Sequence, residues 1–138
     1  ANVCVSDNQP LAHYLVENFC RQFGVFRGAE AFSTLQYLPM IQHSAGGDNL
    51  SSSSVSVTAP GLQLELLWER LGKPFAADVL PDMSATGKHE MYSVFVESEQ
   101  ASITVNGRRL SGQAFPRPFM GRTASSAFLA FSETWLTT

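Results

Sequence analysis

A chain of 138 residues, 44% hydrophobic and only 15% charged, carries enough apolar mass for one globular domain over 1–138, with no need of a metal or a disulfide framework. Nine Lys and Arg stand against twelve Asp and Glu with no basic run, which leaves no electrostatic footprint for nucleic acid. No apolar run reaches transmembrane length and no basic-then-apolar leader opens the sequence, so the expectation is a cytoplasmic protein without a membrane partner.

The first predicted element is a helix over 9–23. Ala12, Leu15, Val16, Phe19, Cys20 and Phe23 recur at three- and four-residue spacing and form one apolar stripe. Asp7 or Asn8 can cap it, Pro10 suits the first turn, and Gly24 is a natural stop. Over 29–38, Phe32, Leu35 and Leu38 fit a second short helix; Leu35 and Tyr37 also fit a strand, and Pro39 ends either one. Residues 43–54 read as a flexible loop, because Gly46-Gly47-Asp48-Asn49 is turn chemistry and a serine run follows.

Beyond the loop the period changes to two. Val55 and Val57 alternate with serines, Pro60-Gly61 signals a turn, and Leu62, Leu64, Leu66 and Trp68 alternate along a second strand. Residues 74–87 read as a connector with one helical turn at 75–79. Strands are predicted at 90–97, 101–105, 108–115 and 126–136, with a turn at 98–100 and a hairpin at Asn106-Gly107. The sum is an α+β fold: an N-terminal helix, or helix pair, packed on a curved, mainly antiparallel sheet of cone- or barrel-like form. Phe19, Leu66, Phe95, Leu129 and Phe131 are the expected core.

Chemistry-bearing patterns are sparse. The two cysteines, Cys4 and Cys20, have no His spacing that would make a metal site, and Cys20 reads as a small apolar residue on the helix. Asp78 and Asp82 lack the ring of oxygens that a hard cation needs. No nucleophile elbow and no phosphate-binding loop is present, so no cofactor is expected and no family is indicated. Histidine remains as an acid–base candidate: His43 at the loop entry and His89 at the mouth of a strand. Arg117 and Arg122 frame Pro118, Phe119, Met120 and Gly121, a combination able to grip an anionic or planar ligand by forked hydrogen bonds and stacking.

These residues support three readings. The preferred one is a small-molecule binding module, with an apolar pocket between helix and sheet taking a small apolar or anionic ligand through Arg117, Phe119, Arg122 and Trp68. The second is a small enzyme with His89 or His43 as its acid or base. The third is a homo-oligomeric interaction domain, since a surface poor in charge repels its own copies weakly.

Overall fold

The computed structural model describes residues 2–23 and 30–136. The expected stop at Gly24 lies outside the described residues. Among the described residues the chain forms β1 (Val3–Ser6), α1 (Gln9–Asn18), β2 (Gln36–Pro39), β3 (Gln42–Gly47), β4 (Ser52–Ala59), β5 (Leu62–Leu71) and β6 (Phe75–Val79). These are followed by β7 (His89–Val105), β8 (Arg108–Arg109), β9 (Pro116–Phe119), β10 (Arg122–Ser125) and β11 (Phe128–Leu136). This is an α+β arrangement, mostly antiparallel sheet with one short N-terminal helix.

The helix begins where its cap dictates. Asn8 accepts the Leu11 N–H at 3.0 Å and Pro10 occupies the first turn. It stops at Asn18, whose side-chain amide donates to the Tyr14 carbonyl at 3.1 Å and competes with the backbone ladder. The chain then makes a 3₁₀ turn at Cys20–Gln22, so the helix is shorter than the 9–23 stripe suggests. Ala12 and Val16 are its buried residues.

Among the described residues no second helix forms. Only Glu30–Phe32 turns, as 3₁₀, and the segment up to Pro39 becomes β2, paired in parallel with β1 from Val3↔Gln36 to Ser6↔Pro39. Gln9 clamps this pair to the helix start by donating to the Ser6 and Leu38 carbonyls at 3.0 and 3.1 Å. His13 stacks on Tyr37 with ring centroids 3.6 Å apart.

In place of the loop expected over 43–54 stands a β-hairpin. β3 pairs antiparallel with β4 from Gln42↔Thr58 to Gly47↔Ser53. The connecting turn spans 48–51, two residues later than the expected 46–49. Gly47 has φ +92°, and a Cβ there would collide with the Ser52 carbonyl oxygen, so the glycine is required by close approach. Asp48 organises the turn: it accepts from the Leu50, Ser51 and Ser52 N–H groups and from the Ser51 hydroxyl. The Ser51, Leu50 and Ser52 backbone bonds, then the Ser51 hydroxyl, hold its carboxyl well below the usual carboxylate range. A depressed folded-state value means that this contribution is complete above about pH 4 and is lost as pH falls through the folded value. Every residue of β3 is exposed, so this hairpin is expected to open before the rest of the sheet. Protection of the Ser51 and Ser52 amides against exchange should fall with acid, and should be absent at neutral pH in Asp48→Ala. Amides of that variant exchanging as slowly as in wild type would contradict the role given to Asp48.

β7 is the spine of the sheet. The turn expected at 98–100 is absent and the strand runs unbroken from His89 to Val105. Its C-terminal half pairs with β5 (Leu64↔Val105 to Leu71↔Ser98) and with β8. Its N-terminal half lies between β6 (Phe75↔Phe95 to Val79↔Met91) and β11 (Phe128↔Glu97 to Leu136↔His89). Thus 75–79, expected as a helical turn, is a strand. Only 108–109 of the expected strand 108–115 pairs with β7, while 116–125 folds back as the β9–β10 hairpin.

Ser98 is the joint between the halves. It is wholly buried, and its hydroxyl lies 2.8 Å from the Glu69 carbonyl and 2.6 Å from the Gln100 carbonyl while accepting the Glu69 N–H at 3.2 Å. Its backbone turns the other way: the N–H donates to the Ala127 carbonyl at 2.9 Å, and its carbonyl accepts the Ser125 hydroxyl at 2.6 Å. The sheet stays open, running β11-β7-β5-β4-β3 with β3 and β11 at its ends.

The core is thin. Among the described residues Ala12, Val16, Ala59, Val96 and Ala124 are the buried apolar ones, none of them large. Phe19, Leu66, Phe95 and Leu129 are half-buried. Phe131, expected inside, is 54% exposed. Its alternation with Leu129 and Trp135 is real, but it places all three on the face of β11 opposite Phe128, Ser132 and Thr134, where Phe131 and Trp135 are exposed.

Candidate functional site

The two faces of the β6–β7–β11 unit differ. On one face Ala77 and Val79 of β6, Met91, Ser93 and Phe95 of β7, and Phe128, Ser132 and Thr134 of β11 line an open hollow of about 440 Å³. Register explains the set, because Ala77↔Ser93↔Ser132 and Val79↔Met91↔Thr134 are rungs across three strands. Phe19 and Phe23, after α1, wall one side, and the turn after β6 adds Met83, Ser84 and Ala85. Phe119 and Met120, at the tip of the β9–β10 hairpin, form the far rim.

That rim is held by aromatic rings. Phe95 meets Phe119 and Phe128 edge-on with centroids 5.1 and 5.2 Å apart, and Phe75 lies 5.5 Å from Phe95. The hairpin tip is a two-residue turn with both Met120 (φ 49°) and Gly121 (φ 75°) in the left-handed region.

The polar feature of the floor is a pair of hydroxyls. Ser93 Oγ and Ser132 Oγ are 2.7 Å apart. Two hydroxyls carry two protons, and one proton makes the bond between them, which leaves one O–H to offer an acceptor in the hollow. Ser84 at the edge is already engaged with the Pro81 carbonyl, Thr86 and the Gly87 N–H.

The residues singled out in the sequence are dispersed. Phe119 lines the hollow; Arg117, Arg122, Trp68, His89 and His43 do not. Arg122 pairs with Glu97 at 2.8 Å and lies 4.2 Å over the Phe75 ring, so a carboxylate of this chain already answers its charge. Glu97 also accepts the Ser125 N–H at 3.0 Å. Arg117 lies over the Phe119 and Phe128 rings at 5.3 and 5.8 Å, and its buried Nε has no hydrogen-bond partner. Trp68 stands in the other half of the sheet, between Ser53 and Ala101.

His89 is buried beneath the end of the helix. Thr86 Oγ1 is 2.7 Å from its Nδ1, the Tyr14 hydroxyl 3.5 Å from its Nε2, and the Phe19 ring 5.4 Å away edge-on. His43 is exposed on the edge strand β3, opposite Val57. Among the described residues no group of His, Cys, Asp and Glu is arranged to hold a metal ion, and Cys4 and Cys20 are free thiols whose pKa burial raises.

A second hollow, about 630 Å³, lies between the β1–β2 pair and the ends of β4 and β5, lined by aliphatic residues such as Val5, Leu38, Val57 and Leu64. Its Asn106 is committed at both ends, accepting the Gln63 N–H and donating to the Gly61 carbonyl. The smaller hollow has rings on its rim and a free hydroxyl proton on its floor, so it has more with which to orient a guest.

Ser93, Ser132, Phe75 and Phe128 carry no signal in the sequence. The two serines are 39 positions apart in a serine-rich chain, and only strand register brings them together. No family model, curated protein or solved structure matches the chain. No described helix is long and apolar enough to cross a membrane.

Proposed function

We propose that this protein binds a small, uncharged, mostly apolar molecule in the hollow over the β6–β7–β11 face. The observation that carries the reading is an apolar hollow of about 440 Å³, within the range of small-ligand sites, with one hydroxyl donor left over from the Ser93–Ser132 pair. The aromatic rim at Phe119 and the adaptable Met83, Met91 and Met120 suit an aliphatic or aromatic body. The Ser hydroxyl suits one carbonyl, ether or hydroxyl oxygen on it. An anionic ligand is the less favoured guest, because Arg122 is neutralised by Glu97 and Arg117, stacked on the Phe119 and Phe128 rings, is not itself among the residues lining the hollow. The enzyme reading draws least support, since both nitrogens of His89 face Thr86 and Tyr14 behind the wall.

Titration with the neutral fluorophore N-phenyl-1-naphthylamine tests the reading. Wild type should enhance its emission saturably. Ala77→Trp, which fills the hollow, should weaken binding at least about tenfold, the effect of losing roughly 1.4 kcal/mol. Ala76→Trp, one position away on the opposite face of β6, should bind as wild type does. No saturable binding, or equal binding by Ala77→Trp, would remove the site. Loss in Leu38→Trp instead would move it to the β1–β2 hollow.

A further inference from the structure

β11 is a free edge of unusual character. It is nine residues long, Phe128 to Leu136, contains no Pro, Gly or Lys, and has Glu133 as its one charge. Natural edge strands are commonly shortened, bulged or charged to prevent pairing with another chain, and β11 has little of that protection. One face of it carries Phe131 (54% exposed) and Trp135 (48%), beside Tyr92 (43%) of β7.

Backbone direction along β11 follows from one bond. The Ala127 carbonyl points to β7, where it accepts the Ser98 N–H. In an antiparallel ladder the N–H and C=O of a residue point to the same side and the side alternates. The odd residues 129, 131, 133 and 135 therefore bond to β7. The even residues 128, 130, 132, 134 and 136 point their N–H and C=O outward, with no strand beside them among the described residues.

We infer that this edge pairs with β11 of a second copy of the chain, antiparallel about a two-fold axis through Ser132. The register is self-complementary. Ser132 meets Ser132, Ala130 meets Thr134, and Phe128 meets Leu136, each as a hydrogen-bonded pair of outward-pointing residues. On the outer face Leu129 comes opposite Trp135 and Phe131 opposite Glu133, with the two Phe131 rings diagonal to each other. Moving the centre to residue 133 would set two Glu133 carboxylates opposite each other, and moving it to 131 would shorten the overlap.

Surface area leaves room for such a partner. The chain exposes 9134 Å², whereas a folded monomer of 15.1 kDa exposes roughly 7,100 Å². The excess of roughly 2,000 Å², summed over the whole chain, exceeds the roughly 800 Å² per partner that a stable interface buries. The result is a sheet continuous across both copies, and it closes because a two-fold contact uses each edge once.

The test is sedimentation together with amide exchange on the whole chain. Wild type should sediment at twice 15.1 kDa, and the Ala130, Ser132 and Thr134 amides should be protected. Ala130→Pro removes an outward N–H without touching the β7 ladder, so it should raise the dimer dissociation constant at least tenfold, with far-UV signal retained and the Ser132 and Thr134 amides exposed. If that proline variant unfolds, dilution of wild type decides: the even amides should lose protection as monomer appears. A wild-type monomer at 100 µM with freely exchanging even amides overturns the proposal. So does a dimer that survives Ala130→Pro with those amides still protected, because the interface then lies elsewhere.

Discussion

Phe95→Ala is expected to lower unfolding stability by about 3 kcal/mol in urea denaturation, the lower end of the range for truncating a core phenylalanine. The ring touches Phe75, Phe119 and Phe128, and those contacts tie three separate chain segments, β6, β9 and β11, onto β7. Two edge-on pairs alone contribute about 0.5–1.5 kcal/mol each beyond area burial. The lower end applies because Phe95 is half-buried and borders the open hollow, so water enters the space left behind. Phe131→Ala is the control. Its ring is 54% exposed, and its loss should cost under about 1 kcal/mol in a dilute sample. Equal costs at the two positions would mean that the face assignment of β7 and β11 is wrong.

Ser98→Val is the second large effect expected, about 2–4 kcal/mol. Valine puts a methyl in place of the hydroxyl and adds a second, and it cannot accept the Glu69 N–H or donate to the Glu69 and Gln100 carbonyls. Leaving such groups buried and unpaired costs about 1–3 kcal/mol. Ser98 is also wholly enclosed, so the additional methyl has no room, and overpacking adds about 1–3 kcal/mol before the neighbours relax. Ser98→Ala separates the two contributions, since it removes the hydroxyl without adding volume. Matched denaturation midpoints for wild type and both variants would show that the joint tolerates the loss and that β7 is held by its ladders alone.

The strand pattern is legible in the sequence wherever alternation and a turn signal coincide. β4 and β5 follow from the alternating Val and Leu around Pro60-Gly61, and the end of β7 from Asn106-Gly107, whose residues take φ 49° and 76°. What escapes is non-local. β1 and β2 are too short for periodicity and find each other across more than thirty residues, Val3 with Gln36. β3 is built from Gln, His, Ser, Ala and Gly, and pairing with β4 overrides its poor strand propensity. The Ser98-Glu99-Gln100 stretch reads as a turn because it is polar, yet the Ser98 hydroxyl is consumed by backbone groups inside the sheet.

The site follows the same division. Phe119 and Met120 stand out as apolar residues in a Pro- and Gly-rich stretch, and they reach the rim. That stretch gives no hairpin signal, because methionine seldom takes the positive φ that Met120 adopts. The arginines attract attention as grips for an anion, but sequence cannot show that Glu97, on another strand, already holds Arg122.

The position of β11 also dictates the order in which the molecule can be completed. Phe128, Ser132 and Thr134 supply one flank of the hollow, and they are synthesised after every other segment that lines it. Until they emerge, the N-terminal half of β7 lacks its neighbour on that side, and the Ser93 hydroxyl lacks Ser132. A nascent chain halted before residue 128 therefore presents an unsatisfied strand edge beside a cluster of phenylalanines, the combination most prone to capture by another unfinished chain. Because the late strand must find a partner some forty residues back, its docking carries a loop-closure cost, and the hollow has its full lining only with β11 in place.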